Sequence, residues 1–245
     1  MIQIFKAFSL AFRNLFNLKI VWILVWPLFA ATLLWIIIGK FFWTPSVEWV
    51  MEIIPYTIMK DWIDESNLIK ITDGIRDILN VVIFIMLVIM TSMIITALFV
   101  MPSLIDFVAK RYYPLLDRKN GGSIMGSLFH VISATIVFIA LWSIAIPFWF
   151  IGIGMLISFL AAAYLNQRLF GYDAISEHAS KEELKILLAT DKLSLWSLGL
   201  LTGLVQFVPF LNLFAPTLTA LAFIHFELAR LEKFRHKSST NSSQK

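Results

Sequence analysis

The chain has 245 residues, of which 59% are hydrophobic and only 15% are charged, and its mean hydropathy is +0.82. This composition differs strongly from that of soluble globular proteins and predicts an all-α integral membrane protein with one membrane domain over residues 1–237. The net charge of +4 is spread along the chain without a basic arm, which argues against nucleic acid as a partner. The absence of cysteine excludes disulfides, thiolate metal sites and cysteine catalysis.

The first segment, residues 1–19, is predicted to be an amphipathic helix that lies in the membrane interface. Apolar side chains recur at helical spacing from Ile4 to Phe16, and a polar side is supplied by Lys6, Arg13, Asn14 and Asn17. The alternative is an ordinary helix of the bundle. Residues 20–39 follow as an uncharged run of 20 residues, which is long enough to cross a hydrocarbon core of about 30 Å.

Residues 40–77 form the largest polar segment, with a net charge of −3. Apolar side chains continue at helical spacing from Val47 to Ile63, so the segment is predicted to be an amphipathic helix outside the membrane. Residues 78–105 are 28 uncharged residues and are predicted to form a second, tilted span.

A basic loop precedes a run of 48 uncharged residues from Asn120 to Gln167, which Pro147 interrupts. The predicted structure is a helical hairpin over residues 123–167, with one arm ending before Pro147 and the other beginning after it. Residues 168–192 then mix acidic and basic side chains with apolar ones and are predicted to be a further amphipathic segment.

Residues 193–226 contain 34 residues without a charged side chain, interrupted by Pro209 and Pro216. This length exceeds one crossing and falls short of two, because each crossing needs about 20 helical residues. Division at Pro209 leaves two arms of about 24–26 Å each. The segment is therefore predicted to be a second hairpin that only partly penetrates the membrane, followed by a disordered tail at residues 238–245.

The Lys and Arg distribution predicts a topology with the N-terminus, the basic loop before residue 120 and the C-terminal tail inside, and with the acidic segment 40–77 outside. The bias is modest because every loop carries about four basic residues. Single and dual membrane orientation both stay open at this point.

Four short stretches carry a resemblance to a known family. Tyr164–Ala174 reads YLNQRLFGYDA, Pro209–Pro216 reads PFLNLFAP, Phe16–Ile20 reads FNLKI and Trp26–Leu28 reads WPL. Taken together, these stretches resemble the CysZ sulfate permease family, which also includes the etoposide-induced 2.4 proteins. The resemblance implies a multi-pass protein of the bacterial inner membrane, with two long spans and pairs of partly penetrating helices, which forms a homo-oligomer and passes sulfate inward.

The resemblance also implies a position for the anion. In sulfate-transporting members a Gly-Leu-Arg motif before the first span binds it, and the matching residues here are Asn17, Leu18 and Lys19. Lys19 keeps the positive charge but lacks the planar fork of arginine, and Asn17 lacks the conformational freedom of glycine. Arg13 adds a nearby charge, and Asn212 lies at the tip of the last hairpin. The alternatives are a lysine that sets topology and an asparagine that caps the turn.

The other polar residues receive structural interpretations. Arg168 is expected to be an interfacial anchor, His130 and His225 to be packed or interfacial, and the pair Glu182 and Glu183 to form a solvated face. We expect no metal and no cofactor, because no set of residues with the spacing of a metal site is present.

Two functions follow as expectations. The first is a permease or channel-like protein for a small inorganic anion, with sulfate as the expected substrate and the lipid bilayer as its surroundings. The second is a non-transporting membrane scaffold or interaction protein that shares the fold. An enzyme is not expected, because neither a paired serine protease motif nor a metalloprotease motif is complete.

Overall fold

The computed structural model describes residues 2–53 and 65–242, and within these ranges its regular elements are all helical. The all-α fold class is thus confirmed. Three 3-10 turns lie at Trp149–Ile151, Val205–Phe207 and Leu211–Phe214. The α-helices are α1 (Ile2–Leu15), α2 (Leu18–Ile53), α3 (Glu65–Tyr112), α4 (Ile124–Phe148), α5 (Ile153–Ser176), α6 (Lys181–Thr190), α7 (Lys192–Leu204) and α8 (Ala215–Ser242).

Five stretches of the described residues are long and apolar enough to cross a membrane. They belong to α2, α3, α4 with its following turn, α5, and α8 with its preceding turn. The described residues divide into two compact units, one made of Trp22–Val100 and the other of Met1–Val21 with Met101–Lys245. A single membrane domain, two long spans and partly penetrating hairpins stay predictions.

The unit Trp22–Val100 is built from the apolar parts of α2 and α3. The indole of Trp35 donates a hydrogen bond of 2.9 Å to the hydroxyl of Thr91 and contacts the ring of Phe84 edge-on. Residues 40–53 continue α2 and residues 65–77 begin α3, so the described ends of the acidic segment extend the two long helices and do not form a helix of their own. The centre of that segment, residues 54–64, lies outside the described residues.

The other unit is organised around α8, which packs against α1, α5 and α7. Its fully buried side chains include Leu218, Leu221, Phe223 and Leu228. Consecutive residues around the helix are buried, which is the pattern of a central helix rather than of an amphipathic one. Helix α4 packs along α5, and the short α6 contacts α5, α7 and α8.

Helix α1 packs on α8 through a narrow face of small residues. Ala7 and Ala11 are buried and allow the two backbones to approach closely, while Phe5 and Phe16 are 59% and 68% exposed. Asn14 belongs to the buried face, and its assignment to the polar side was therefore wrong. The helix belongs to the bundle and also presents an aromatic surface, while its place in the membrane interface stays a prediction.

The turn between α4 and α5 lies later than the sequence predicts. Pro147 is the second-last residue of α4, and the chain turns at Trp149–Ile151 and Gly152. Gly152 has a φ of 79°, a backbone conformation that favours glycine. Gly152, in the left-handed conformation after the 3-10 turn, therefore marks the break between the two helices.

The break between α7 and α8 includes Pro209, as predicted, and Phe210 there has a φ of 65°. Helix α7 has 13 residues and reaches roughly 20 Å, too short to cross a bilayer. Helix α8 has 28 residues, so the expected second arm ending at Phe226 was too short. The helix runs to Ser242, which differs from the disordered tail expected from residue 238.

Candidate functional site

The junction between α1 and α2 is closed by Asn17. Its side-chain oxygen accepts a hydrogen bond of 3.1 Å from the amide of Lys19, and its carbonyl accepts hydrogen bonds from the amides of Ile20 and Val21. Asn17 therefore caps the N-terminus of α2. These three amides already have acceptors, so an anion at this junction would depend mainly on side chains.

Lys19 shares an aromatic contact with a second cation, Arg111, which the sequence did not indicate. The ammonium of Lys19 is 5.8 Å from the centre of the Phe107 ring, and the guanidinium of Arg111 is 5.7 Å from the same centre. In the part of the chain that the structure describes, neither cation pairs with a carboxylate. The pair Lys19 and Arg111 thus presents uncompensated positive charge at the start of α2.

The other predicted site residues are Arg13, Leu18 and Asn212. Arg13 and Leu18 are exposed, and Leu18 is 83% exposed. Asn212 is exposed on the turn before α8, and its carbonyl accepts the amide of Ala215. Since His225 of α8 contacts Asn14 of α1, Asn212 lies roughly 20 Å along the chain from that contact. The structure therefore does not bring Asn212 to Lys19.

A buried polar cluster joins α1, the helix before Lys19, to the end of the helix that carries Arg111. The amide of Asn14 donates to Nε2 of His225 at 2.8 Å, and the hydroxyl of Tyr112 donates to Oδ1 of Asn14 at 2.9 Å. The hydroxyl of Tyr113 donates to the carbonyl of His225 at 3.2 Å. The cluster joins α1, the end of α3 and α8, and it fixes Arg111 through its neighbour Tyr112. His225 is packed, in agreement with its sequence interpretation.

A second polar cluster lies around Glu183 at the start of α6. The carboxylate accepts hydrogen bonds from Arg235 at 2.9 and 3.0 Å, from Lys119 at 2.8 Å and from the amide of Ser180 at 2.8 Å. Burial raises the pKa of Glu183, but these hydrogen bonds outweigh it and hold the pKa at about 2. Glu183 is buried, so its expected place on a solvated face was wrong.

The same cluster fixes the loop before α4. The guanidinium of Arg235 donates to the carbonyls of Asp117 and His178, and the amides of residues 119–122 donate to carbonyls of residues 176–179. Burial, followed by the nearby Arg118 and Arg235, lowers the pKa of His178 to about 4. These ion pairs have structural partners on every side, and they are therefore not candidates for binding an external anion.

The search for metal-binding side chains gives no candidate within the described residues. The five apolar helices of spanning length among the described residues are those of a multi-pass helical membrane protein.

The model of the family described as Sulfate transporter CysZ/Etoposide-induced protein 2.4 matches residues 7–216. The chain belongs to this family, as its sequence stretches indicate. The searches of curated proteins and of solved structures found no match.

Proposed function

We propose that this protein is a permease or channel-like protein for a small inorganic anion, with sulfate as its substrate. The observation that carries the proposal is the convergence of Lys19 and Arg111 on Phe107 without a carboxylate partner among the described residues. An oxyanion that reaches both cations at the edge of the Phe107 ring would gain charge-assisted hydrogen bonds from both. Membership in a sulfate transporter family supports the same substrate.

The proposed route begins at this cationic pair. Arg13 adds a further exposed positive charge on α1, and Arg111 supplies the planar fork that Lys19 lacks. Arg111 thus takes the role of the motif arginine, whose position in this chain is occupied by Lys19. We further propose a homo-oligomer in a bacterial inner membrane, with passive or ion-coupled flux and no catalysis.

One observation favours the alternative of a membrane scaffold. Asn17 accepts hydrogen bonds from the amides of Lys19, Ile20 and Val21, which removes three of the backbone donors that a small oxyanion could use at the N-terminus of α2. If those donors are essential, the protein keeps the fold of a permease without its transport. The two functions differ in one measurable property, the movement of sulfate across a sealed membrane.

The test is radiolabelled sulfate uptake into proteoliposomes that contain the full-length protein. Lys19→Gln and Arg111→Gln should each reduce initial uptake about tenfold, as for the loss of one charged hydrogen bond. Lys6→Gln is the matched control, because it removes one exposed cation from α1 and should leave uptake within about twofold of wild type.

Two results would decide against the proposal. Wild-type uptake equal to that of empty vesicles, with monodisperse protein, would support the scaffold. Normal uptake in the double variant K19Q/R111Q would show that transport occurs and that this pair is not its anion site.

A further inference from the structure

A separate cavity of about 620 Å³ lies where α4, α5, α6 and α7 meet. Three cations line it, Arg168 from α5, Lys185 from α6 and Lys192 from α7. No carboxylate belongs to its wall, whose other members are His130, Tyr164, Gln167, Tyr172, Leu184, Leu188, Ala189 and Trp196. The cavity is built from helices other than those that carry Lys19 and Arg111, and it does not depend on the proposed transport.

The cations of this cavity lack counterions. Nε of Arg168 is buried and has no hydrogen-bond acceptor. In the described part of the chain, Arg168, Lys185 and Lys192 form no ion pair, whereas Arg230 on α8 makes two hydrogen bonds of 2.6 and 2.7 Å to Asp191. A buried guanidinium N–H without an acceptor is unfavourable. The cavity is therefore complementary to a ligand that brings anionic oxygen atoms.

The cavity lies near the end of a membrane-length helix. Arg168 is roughly 12 Å of helix before the end of α5 at Ser176. Helix α6 is too short to cross the membrane and leaves Ile186 46% exposed. The rings of Tyr164 and Trp196 in the wall are 5.9 Å apart, and these residue types concentrate at the level of lipid headgroups. The surroundings are those of the membrane interface.

The size of the cavity favours a lipid over a free oxyanion. Its volume equals that of about twenty water molecules at about 30 Å³ each, far more than a five-atom sulfate or phosphate fills. Its wall also contains Leu184, Leu188 and Ala189, which offer an apolar surface beside the three cations. A phosphate diester with its glycerol fits both features, and basic pockets between membrane helices bind such headgroups.

We propose that this cavity binds the headgroup of an anionic phospholipid. Arg168 accommodates the phosphate oxygens with its planar fork, and Lys185 and Lys192 complete the charge from α6 and α7. Bound lipid then bridges three helices and adds to the contacts that hold α6.

The test uses delipidated full-length protein in a neutral detergent, with phosphatidylglycerol and cardiolipin as probes and phosphatidylcholine as the neutral lipid. Native mass spectrometry measures bound lipid, and thermal unfolding measures the stabilisation that binding produces. Anionic lipid should bind at least tenfold more tightly than phosphatidylcholine. Arg168→Gln should weaken phosphatidylglycerol binding about tenfold, and Lys181→Gln, a cation of α6 outside the cavity, should change it less than about twofold.

Additional arms separate the sources of the anion and protect against a folding defect. Inorganic sulfate and glycerol phosphate at millimolar concentration should neither raise the unfolding temperature nor displace bound lipid. If they do both, the cavity is a site for free oxyanions and the lipid proposal is overturned. Equal binding of phosphatidylcholine overturns it too. Should Arg168→Gln not fold, the variant K185Q/K192Q replaces it, and unchanged lipid binding in that variant contradicts the proposal.

Discussion

The carboxylate of Glu183 offers the sharpest test of what holds α6 in place. Glu183→Gln keeps the size of the side chain and removes its charge. It leaves Lys119 and Arg235 without their shared counterion and weakens the hydrogen bond from the amide of Ser180. Because Arg235 also donates to the carbonyls of Asp117 and His178, the substitution disturbs the loop before α4 as well as α6.

The magnitude follows from the pKa of Glu183, which the two cations and the amide hold at about 2 against a usual value of 4.5. At about 1.4 kcal/mol for each pKa unit, this shift corresponds to about 3 kcal/mol. Lys119 is 47% exposed, so solvent screening reduces the expected loss to about 2 kcal/mol. The folded pKa is depressed, so this contribution is complete above pH 4.5 and is lost as the pH falls toward 2.

The assay is unfolding in mixed micelles with increasing denaturing detergent, repeated from pH 7 to pH 3. The free energy of unfolding of Glu183→Gln should be about 2 kcal/mol lower than that of wild type at pH 7. Between pH 5 and pH 3 the wild type should lose part of this difference, and the variant should not show that loss. The control is Glu182→Gln, an exposed neighbour on the same helix that accepts a hydrogen bond from Ser180 but forms no ion pair among the described residues, and it should lose much less stability than Glu183→Gln. If Glu183→Gln has the stability of wild type at pH 7 and the same loss between pH 5 and pH 3, the ion pairs do not hold α6.

Two further substitutions test the packing. Gly121→Ala should destabilise the protein by about 2 kcal/mol, because its Cβ would lie 2.3 Å from the backbone carbon of Ser180. The control is Gly74→Ala in α3, whose Cβ would meet no atom within 4 Å and which should be neutral or stabilising. Equal stability of the two variants in the same unfolding assay would contradict the prediction. Asn14→Ala should cost about 2–3 kcal/mol because it leaves Tyr112 and His225 without partners, and an unfolding curve identical to that of Ser9→Ala, an exposed control, would refute the cluster.

The sequence predicted the positions of the long apolar helices well and the positions of the helix ends less well. Uncharged runs located α2, α3, α4 and α5, because apolar length alone selects helices that can cross a membrane. The runs could not show that α8 continues past Phe226 to Ser242, since the charged residues Arg230 and Arg235 that end the uncharged run pair with carboxylates distant in sequence. They also placed the turn at Pro147, although Gly152 supplies the required backbone conformation.

The candidate site was predictable only in part. Lys19 and Asn17 were located through a resemblance to a known motif, and the structure shows what each contacts. The sequence does not indicate Arg111 as a site residue, because it is distant from Lys19 in sequence and is related to it only through a shared contact with the ring of Phe107. Asn14 looked like part of a polar face since it lies beside Arg13, and nothing in the local pattern indicates that His225 and Tyr112 provide its partners.

The cations of this protein form two groups that differ in their partners. Lys119, Arg230 and Arg235 are bound to buried carboxylates and connect α6 and α8 to the rest of the fold. Lys19 and Arg168 carry no such partner in the described residues. Breaking a buried pair leaves a charge without compensation and weakens the fold, whereas removing Lys19 or Arg168 leaves no buried carboxylate of the described residues without its partner. Substitutions in the first group should therefore act on stability, and substitutions in the second should act on the binding of external anions while the protein stays folded.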